Sequence, residues 1–292
     1  MERTADHSSI YTNIEISACA VYAVSLPLLA GFIIYETRRP LTWKSMGTPF
    51  NILLSFMGLS ALCIHVFMIE SYLSETEPNE TIIDAILQPV GQEASIYATI
   101  SFYIQCSWTR GSAVMREVFP KIHSAFRIMI HSSVIVVVVT VATSAAQRWF
   151  TYYDEPMSPS FQIFQSIIQC LPGVLFLTID TVILVTFTSY LRRTVREAGE
   201  QVDNRFLIIS RYGIAVTMCA FGSYALYVTS LFGTTSIEMG QLTFAIMVVF
   251  IDAIFFILFS MKVALFFEKQ RKEAKRQEII AGLKIEIRQQ TL

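Results

Sequence analysis

Apolar residues in this chain fall in blocks of about twenty, not in the alternation of a strand or the narrow stripe of a surface helix. Five blocks, 16–35, 50–69, 128–147, 161–179 and 212–237, are almost unbroken. A helix of roughly 20 mainly apolar residues crosses about 30 Å of hydrocarbon, so each block predicts a membrane span. Two more blocks qualify when one polar interruption is admitted. Residues 94–109 extend back through Glu93 and Gln92 towards Ile82, and 239–261 is continuous except for Asp252. The pattern therefore predicts seven spans, at about 14–35, 50–72, 82–109, 126–147, 161–191, 206–232 and 237–266. The linkers are too short for a soluble domain, which predicts one transmembrane domain over 1–267 and a tail over 268–292. The expected fold class is an all-α seven-transmembrane helix bundle.

Composition sharpens this picture. The chain has 292 residues, 53% hydrophobic and 15% charged, with a mean hydropathy of +0.52. Soluble domains carry about 25% charge, so an ordinary cytosolic enzyme is excluded. Disorder needs low hydrophobicity and is excluded too. A net charge of −1 predicts no nucleic-acid partner. Where the charges lie says more. Arg38, Arg39 and Lys44 follow span 1, and Arg110, Arg116, Lys121 and Arg127 follow span 3. Arg192, Arg193, Arg196, Arg205 and Arg211 follow span 5. Lys262 lies just inside the end of span 7, and Lys269, Arg271, Lys272, Lys275, Arg276, Lys284 and Arg288 occupy the tail. Twenty of the 22 basic residues thus lie on one side, leaving Arg3 and Arg148 on the other. The positive-inside rule then predicts an outside N-terminus and a cytoplasmic C-terminus, and a multi-pass protein of the plasma membrane is expected.

Asn79-Glu80-Thr81 is the one glycosylation sequon, and it falls between spans 2 and 3 on the predicted outer side. The first 13 residues lack a basic n-region and a small-residue cleavage site, so span 1 is expected to be a retained anchor. Cys19, Cys63, Cys106, Cys170 and Cys219 all fall within apolar spans, which predicts no extracellular disulfide. No CxxC pair or Cys/His cluster suggests a metal, and no cofactor is expected.

The helix faces carry the candidate chemistry. Span 4 contains six consecutive apolar residues, Val134 to Val139, and should face lipid widely. Span 3 is the opposite. Gln92, Ser95, Thr99, Tyr103, Cys106 and Arg110 recur at offsets of three and four, beside a second polar stripe of Glu93, Tyr97, Ser101, Gln105 and Trp108. Unsatisfied polar groups in hydrocarbon cost several kcal/mol each, so span 3 should be the most enclosed helix. Span 5 shows Gln162, Gln165, Ser166, Gln169 and, deeper, Asp180, with Pro172 where a kink would form. Span 7 shows Glu238, Gln241 and Asp252, and span 6 offers Tyr224 and Tyr227 near its outer end. Polar contacts between helices would explain such residues. Their clustering at similar depth on three helices favours a pocket open to the outside. Its candidate ligand-binding residues are Gln92, Glu93, Tyr97, Gln165, Gln169, Tyr224, Tyr227 and Gln241, suited to a small organic molecule. Asp180 and Asp252 are candidate intramembrane switch residues, because ionisable groups there are expensive and usually functional. Lys262 lies about 15 Å along the helix from Asp252, too far for a direct pair, and is expected to snorkel to the headgroups.

Other chemistries fit poorly. A retinal protein of the microbial type needs an aspartate one turn before its span-7 lysine, where this chain has Leu258. Seven-span metal hydrolases need several inward histidines; this chain has His7, His65, His123 and His131, and none in span 7. A secondary transporter would show internal repeats, and none is found. No P-loop, nucleophile elbow or dinucleotide fingerprint is present, and no enzyme activity is expected.

Seven spans, an outside N-terminus, short loops and a basic tail resemble a G-protein-coupled receptor. The opening of span 2, Asn51-Ile52-Leu53-Leu54-Ser55-Phe56, looks like the asparagine-leucine start of that helix in rhodopsin-like receptors. Trp108-Thr109-Arg110 places an arginine where that class has Asp-Arg-Tyr, and Arg110-Gly111-Ser112-Ala113 is similar to the Glu-Arg-x-x-Ala motif of some nematode serpentine chemoreceptors. Thr109 and Gly111 flank the arginine, and Ala61 and Ala85 stand where rhodopsin-like receptors have their span-2 aspartate and outer cysteine. Those departures point to a divergent chemosensory type. The resemblance implies a small extracellular ligand and a heterotrimeric G protein as partners. It also gives a coupling role to Arg110, with Arg193 and Arg196 completing a basic cytoplasmic rim. A transporter or lipid-handling seven-span protein is the alternative, with an ion channel behind it. From Glu268 the tail is dense in helix formers and basic charge, and a surface helix on anionic lipid is expected to begin there.

Overall fold

The computed structural model describes residues 2–36, 48–74, 81–154, 156–198, 204–232 and 237–290. Among these, seven long helices follow one another: α1 (Glu2–Glu36), α2 (Pro49–Ser74), α3 (Gln88–Val118), α4 (Pro120–Tyr152), α5 (Pro159–Ala198), α6 (Asn204–Phe232) and α7 (Ile237–Gln290). A single π-helical turn, Ile83–Leu87, leads into α3. The described residues contain no strand, so the all-α expectation stands. Six of the seven helices are long and apolar enough to cross a membrane, the character of a multi-pass membrane protein. The exception is α3, whose two polar stripes take it below that apolar level. It is also enclosed, with twelve buried residues, and packs against α2, α4 and α5. Polar side chains that could not face lipid are covered by neighbouring helices instead.

Proline marks several helix boundaries. Pro49, Pro120 and Pro159 open α2, α4 and α5, where a missing N–H costs no helical bond. Between α3 and α4 only Phe119 is non-helical, so the expected basic loop 110–127 is mostly helix. Pro172 does not end α5, which runs on to Ala198, 40 residues in all. A proline there frees the carbonyl of residue 168, one turn earlier. The Thr140 hydroxyl of α4 reaches that Ile168 oxygen at 3.3 Å, while also bonding its own Val136 carbonyl at 2.8 Å. The other face of α4 is open as expected, with Ile135 66% and Val138 62% exposed.

Close packing of α1, α2 and α7 depends on Gly58. A Cβ there would lie 2.7 Å from the Phe255 ring and 2.8 Å from Leu26. Small residues let membrane helices approach in this way. The 54-residue α7 runs through Glu268 without a break, so the tail is a continuation of the last span rather than a separate surface helix. Between Glu268 and Ala281 no Gly or Pro interrupts a run rich in Glu, Lys, Gln and Arg, all good helix formers. Residues 269–282 are exposed along it.

Candidate functional site

Two cavities open at opposite ends of the bundle. The first, about 450 Å³, lies between α3, α4, α5, α6 and α7 towards the end that carries the amino terminus. Its floor and walls are aromatic and apolar, from Tyr97, Tyr103, Phe176, Tyr224, Tyr227, Phe244, Met247 and Ile251. Polar groups enter from Glu93, Gln147, Arg148, Thr151 and Gln169. Drug-sized ligands occupy spaces of about 300–1,000 Å³ with this balance of apolar wall and sparse polar groups.

The polar groups are partly committed to one another. The Tyr97 and Tyr227 hydroxyls lie 3.2 Å apart, and Tyr227 donates to the Gln169 carbonyl at 3.3 Å. Glu93 Oε1 stands 3.6 Å from the Arg148 guanidinium, whereas its Oε2 is buried without a hydrogen-bond partner. A carboxylate oxygen enclosed in that state has room in its coordination for one further donor, such as an ordered water. The Tyr224 ring lies directly over Gly173, where a Cβ would collide with it. Glycine at that position sets the width of the cavity between α5 and α6.

Of the eight residues expected in a pocket, Glu93, Tyr97, Gln169, Tyr224 and Tyr227 line this cavity. Gln165 is buried just behind it and donates to Gln147, whose side chain is part of the wall. Gln92 and Gln241 are half-buried and are not among the lining residues. The side chain of Glu238, and Asn79 and Glu80 of the sequon, lie outside the described residues.

Below the cavity floor, Asp180 ties three helices together. It accepts hydrogen bonds from Tyr103 of α3 and Thr217 of α6 and is 5% exposed. Tyr103 also packs edge-on against Phe176, with ring centroids 4.9 Å apart. A void of about 30 Å³ beneath this layer is bordered by Tyr103, Ser107, Arg110, Asp180 and Thr217, room for a water. Asp252 belongs to a different cluster. The His65 Nδ1 lies 2.5 Å from Glu15 Oε2, and its Nε2 lies 3.1 and 3.2 Å from the two Asp252 oxygens. The Tyr22 hydroxyl donates to Asp252 at 2.7 Å. Glu15 and His65 are 4% and 2% exposed, so α1, α2 and α7 share a buried polar clamp. Sequence reasoning missed Glu15 and His65 as its members. The usable signal was an ionisable residue within each of the three predicted spans 14–35, 50–72 and 237–266.

The second cavity is a crevice of about 890 Å³ at the basic end, among α1, α2, α3, α6 and α7. Arg110, Arg205, Lys262 and Lys269 line it with Glu36 and Glu273. Lys262 does not snorkel. It is 7% exposed and sits 2.5 Å from Glu36 Oε2, because α1 brings a carboxylate within reach of the amine. Arg193 and Arg196 are exposed on α5 and do not line the crevice. Among the described residues, none lines both the aromatic cavity and the basic crevice. Nor do they group three His, Cys, Asp or Glu side chains able to hold a metal.

Comparison with known proteins adds no relative: no family model, no curated protein and no solved structure matches the chain.

Proposed function

We propose that this protein is a seven-helix receptor of the G-protein-coupled type, with its N-terminus outside and its basic end in the cytoplasm. The aromatic cavity takes a small extracellular ligand, in keeping with a chemosensory role at the plasma membrane. The basic crevice and the arginines around it face a heterotrimeric G protein. In this reading α3 is a seventh span, too polar to face lipid but covered by its neighbours.

The observation that carries the proposal is the separation of the two cavities. A transporter or channel needs a continuous polar path. Here the described linings of the two cavities have no residue in common, and between them, beneath the Tyr103–Asp180–Thr217 layer, lies a void of about 30 Å³ bordered by Tyr103 of the first and Arg110 of the second, large enough for a water and too small for a solute. Such a layer can pass a shift of helix position across the bundle without passing solute.

The test is an unbiased ligand screen in cells with a G-protein readout, followed by Glu93→Ala and Gln169→Ala. Each substitution should move the dose–response curve at least tenfold to higher ligand concentration while surface expression holds. Unchanged curves in both variants would place the ligand elsewhere. Arg110→Ala should cut signalling and leave ligand binding intact. Solute uptake in the absence of any G-protein response would replace the receptor reading with the transporter one.

A further inference from the structure

We propose that the crevice at the basic end is a binding site for a phosphorylated anion, built around Arg110. The inference uses the topology proposed above only for the side of the membrane on which the site opens.

Arg110 cannot discard its charge in a protein and carries five N–H donors. Its contacts engage three of them, one through a weak thioether acceptor. Nε donates to the Cys106 carbonyl at 3.2 Å, one terminal nitrogen meets the Met261 sulfur at 2.8 Å, and the other reaches Ser107 Oγ at 3.4 Å. Among the described residues it has no carboxylate within ion-pair distance. A thioether is a weak acceptor, and Asp180 faces the guanidinium only across the water-sized void, so no anion touches it directly. The Phe50 ring covers one face of it, 5.3 Å from the guanidinium carbon. That arrangement occupies the flat face and leaves N–H edge for an oxyanion, the geometry in which arginine binds phosphate.

The crevice around it repeats the pattern. Lys262 lies 5.5 Å from the Phe32 ring and is already neutralised by Glu36. Lys269 extends the cationic wall one helical stretch further along α7. Four cationic side chains against two carboxylates, in a space of about 890 Å³, favour a ligand bearing more than one negative charge. Basic pockets between membrane helices on the cytoplasmic side bind phosphorylated headgroups by this chemistry. A phosphate delivered by a lipid headgroup and one delivered by a soluble molecule would meet the same donors.

The experiment uses the purified full-length chain. Inositol trisphosphate is titrated into detergent-solubilised protein, and nanodiscs with and without phosphatidylinositol bisphosphate are compared by fluorescence or calorimetry. One saturable site is expected. Arg110→Gln should weaken it at least tenfold and Lys269→Gln several-fold, while Arg276→Gln, on the exposed tail away from the crevice, should change it less than twofold. Tighter binding of the bilayer-borne lipid assigns the ligand to the membrane, and tighter binding of the soluble headgroup assigns it to solution. Lys269→Gln, at an exposed position, keeps the test valid if Arg110→Gln fails to fold. The absence of saturable binding, or an equal loss in Arg276→Gln, would overturn the proposal, as would displacement by an acidic peptide in place of the phosphate probes. None of these outcomes depends on a signalling response, so failure here leaves the ligand-cavity reading to its own test.

Discussion

At the scale of single residues, His65 holds the most consequential position. Both ring nitrogens face carboxylates, Glu15 on α1 and Asp252 on α7, in a region with almost no solvent. Removing one member of a buried charged set leaves the others uncompensated and costs about 3–5 kcal/mol. His65→Ala should therefore lower thermal stability in detergent more than Tyr22→Phe, which deletes one of several donors to Asp252. A double-mutant cycle over Glu15→Ala and His65→Ala should give strongly non-additive melting shifts; additive shifts would mean that the contact contributes little. Gly173 acts through space alone. In Gly173→Ala the new methyl would displace the Tyr224 ring, and the ring borders the ligand cavity. Stability should change modestly, whereas any ligand found by screening should lose at least tenfold in affinity in a competition assay. Ligand binding at wild-type strength would show that Tyr224 has room to turn away from the cavity.

Among elements, the α4–α5 contact shows how a helix keeps a proline. Thr140 reaches the Ile168 carbonyl, the group that Pro172 leaves without an N–H. Polar contacts between membrane helices average about 0.6 kcal/mol. Thr140→Val should cost roughly that amount in the native background. In Pro172→Ala, where residue 172 regains its own N–H, the same substitution should cost less. Thermal unfolding of the four proteins in the cycle decides this, and equal costs in both backgrounds would sever the link between the threonine and the proline. Gly58 makes a comparable point for α1, α2 and α7. Gly58→Ala overfills a space bounded by Phe255 and Leu26, and a loss of about 1–3 kcal/mol is expected from such overpacking. A variant as stable as the native protein would mean that α7 moves aside freely.

For the molecule as a whole, the helical tail separates from the bundle in energetic terms. Residues 269–282 are exposed, so ending the chain after Arg276 should leave the melting temperature of the purified bundle unchanged. A fall of several degrees would reveal contacts made by the distal tail.

The division between what the sequence determined and what the tertiary structure decided follows from the range of each interaction. Hydropathy is a local, additive property, so the apolar blocks alone located the helices, the lipid-facing side of α4 and the polarity of α3. Position along each block placed Glu93, Tyr97 and Gln169 near the same end of their spans and marked Asp180 and Asp252 as ionisable groups deep within theirs. Partners are another matter. Whether Asp252 meets His65, 187 positions earlier, depends on the rotation and depth of α2 against α7, which no period along either helix specifies. The same holds for Lys262, which the sequence sends towards the headgroups and the fold gives to Glu36 instead. Gln92 and Gln241 carry the right chemistry but sit outside the cavity lining, because a small turn of a helix moves a side chain out of a shared space. The chain fixes which residues must avoid lipid. Only the packing of the helices against one another decides what each of those residues touches.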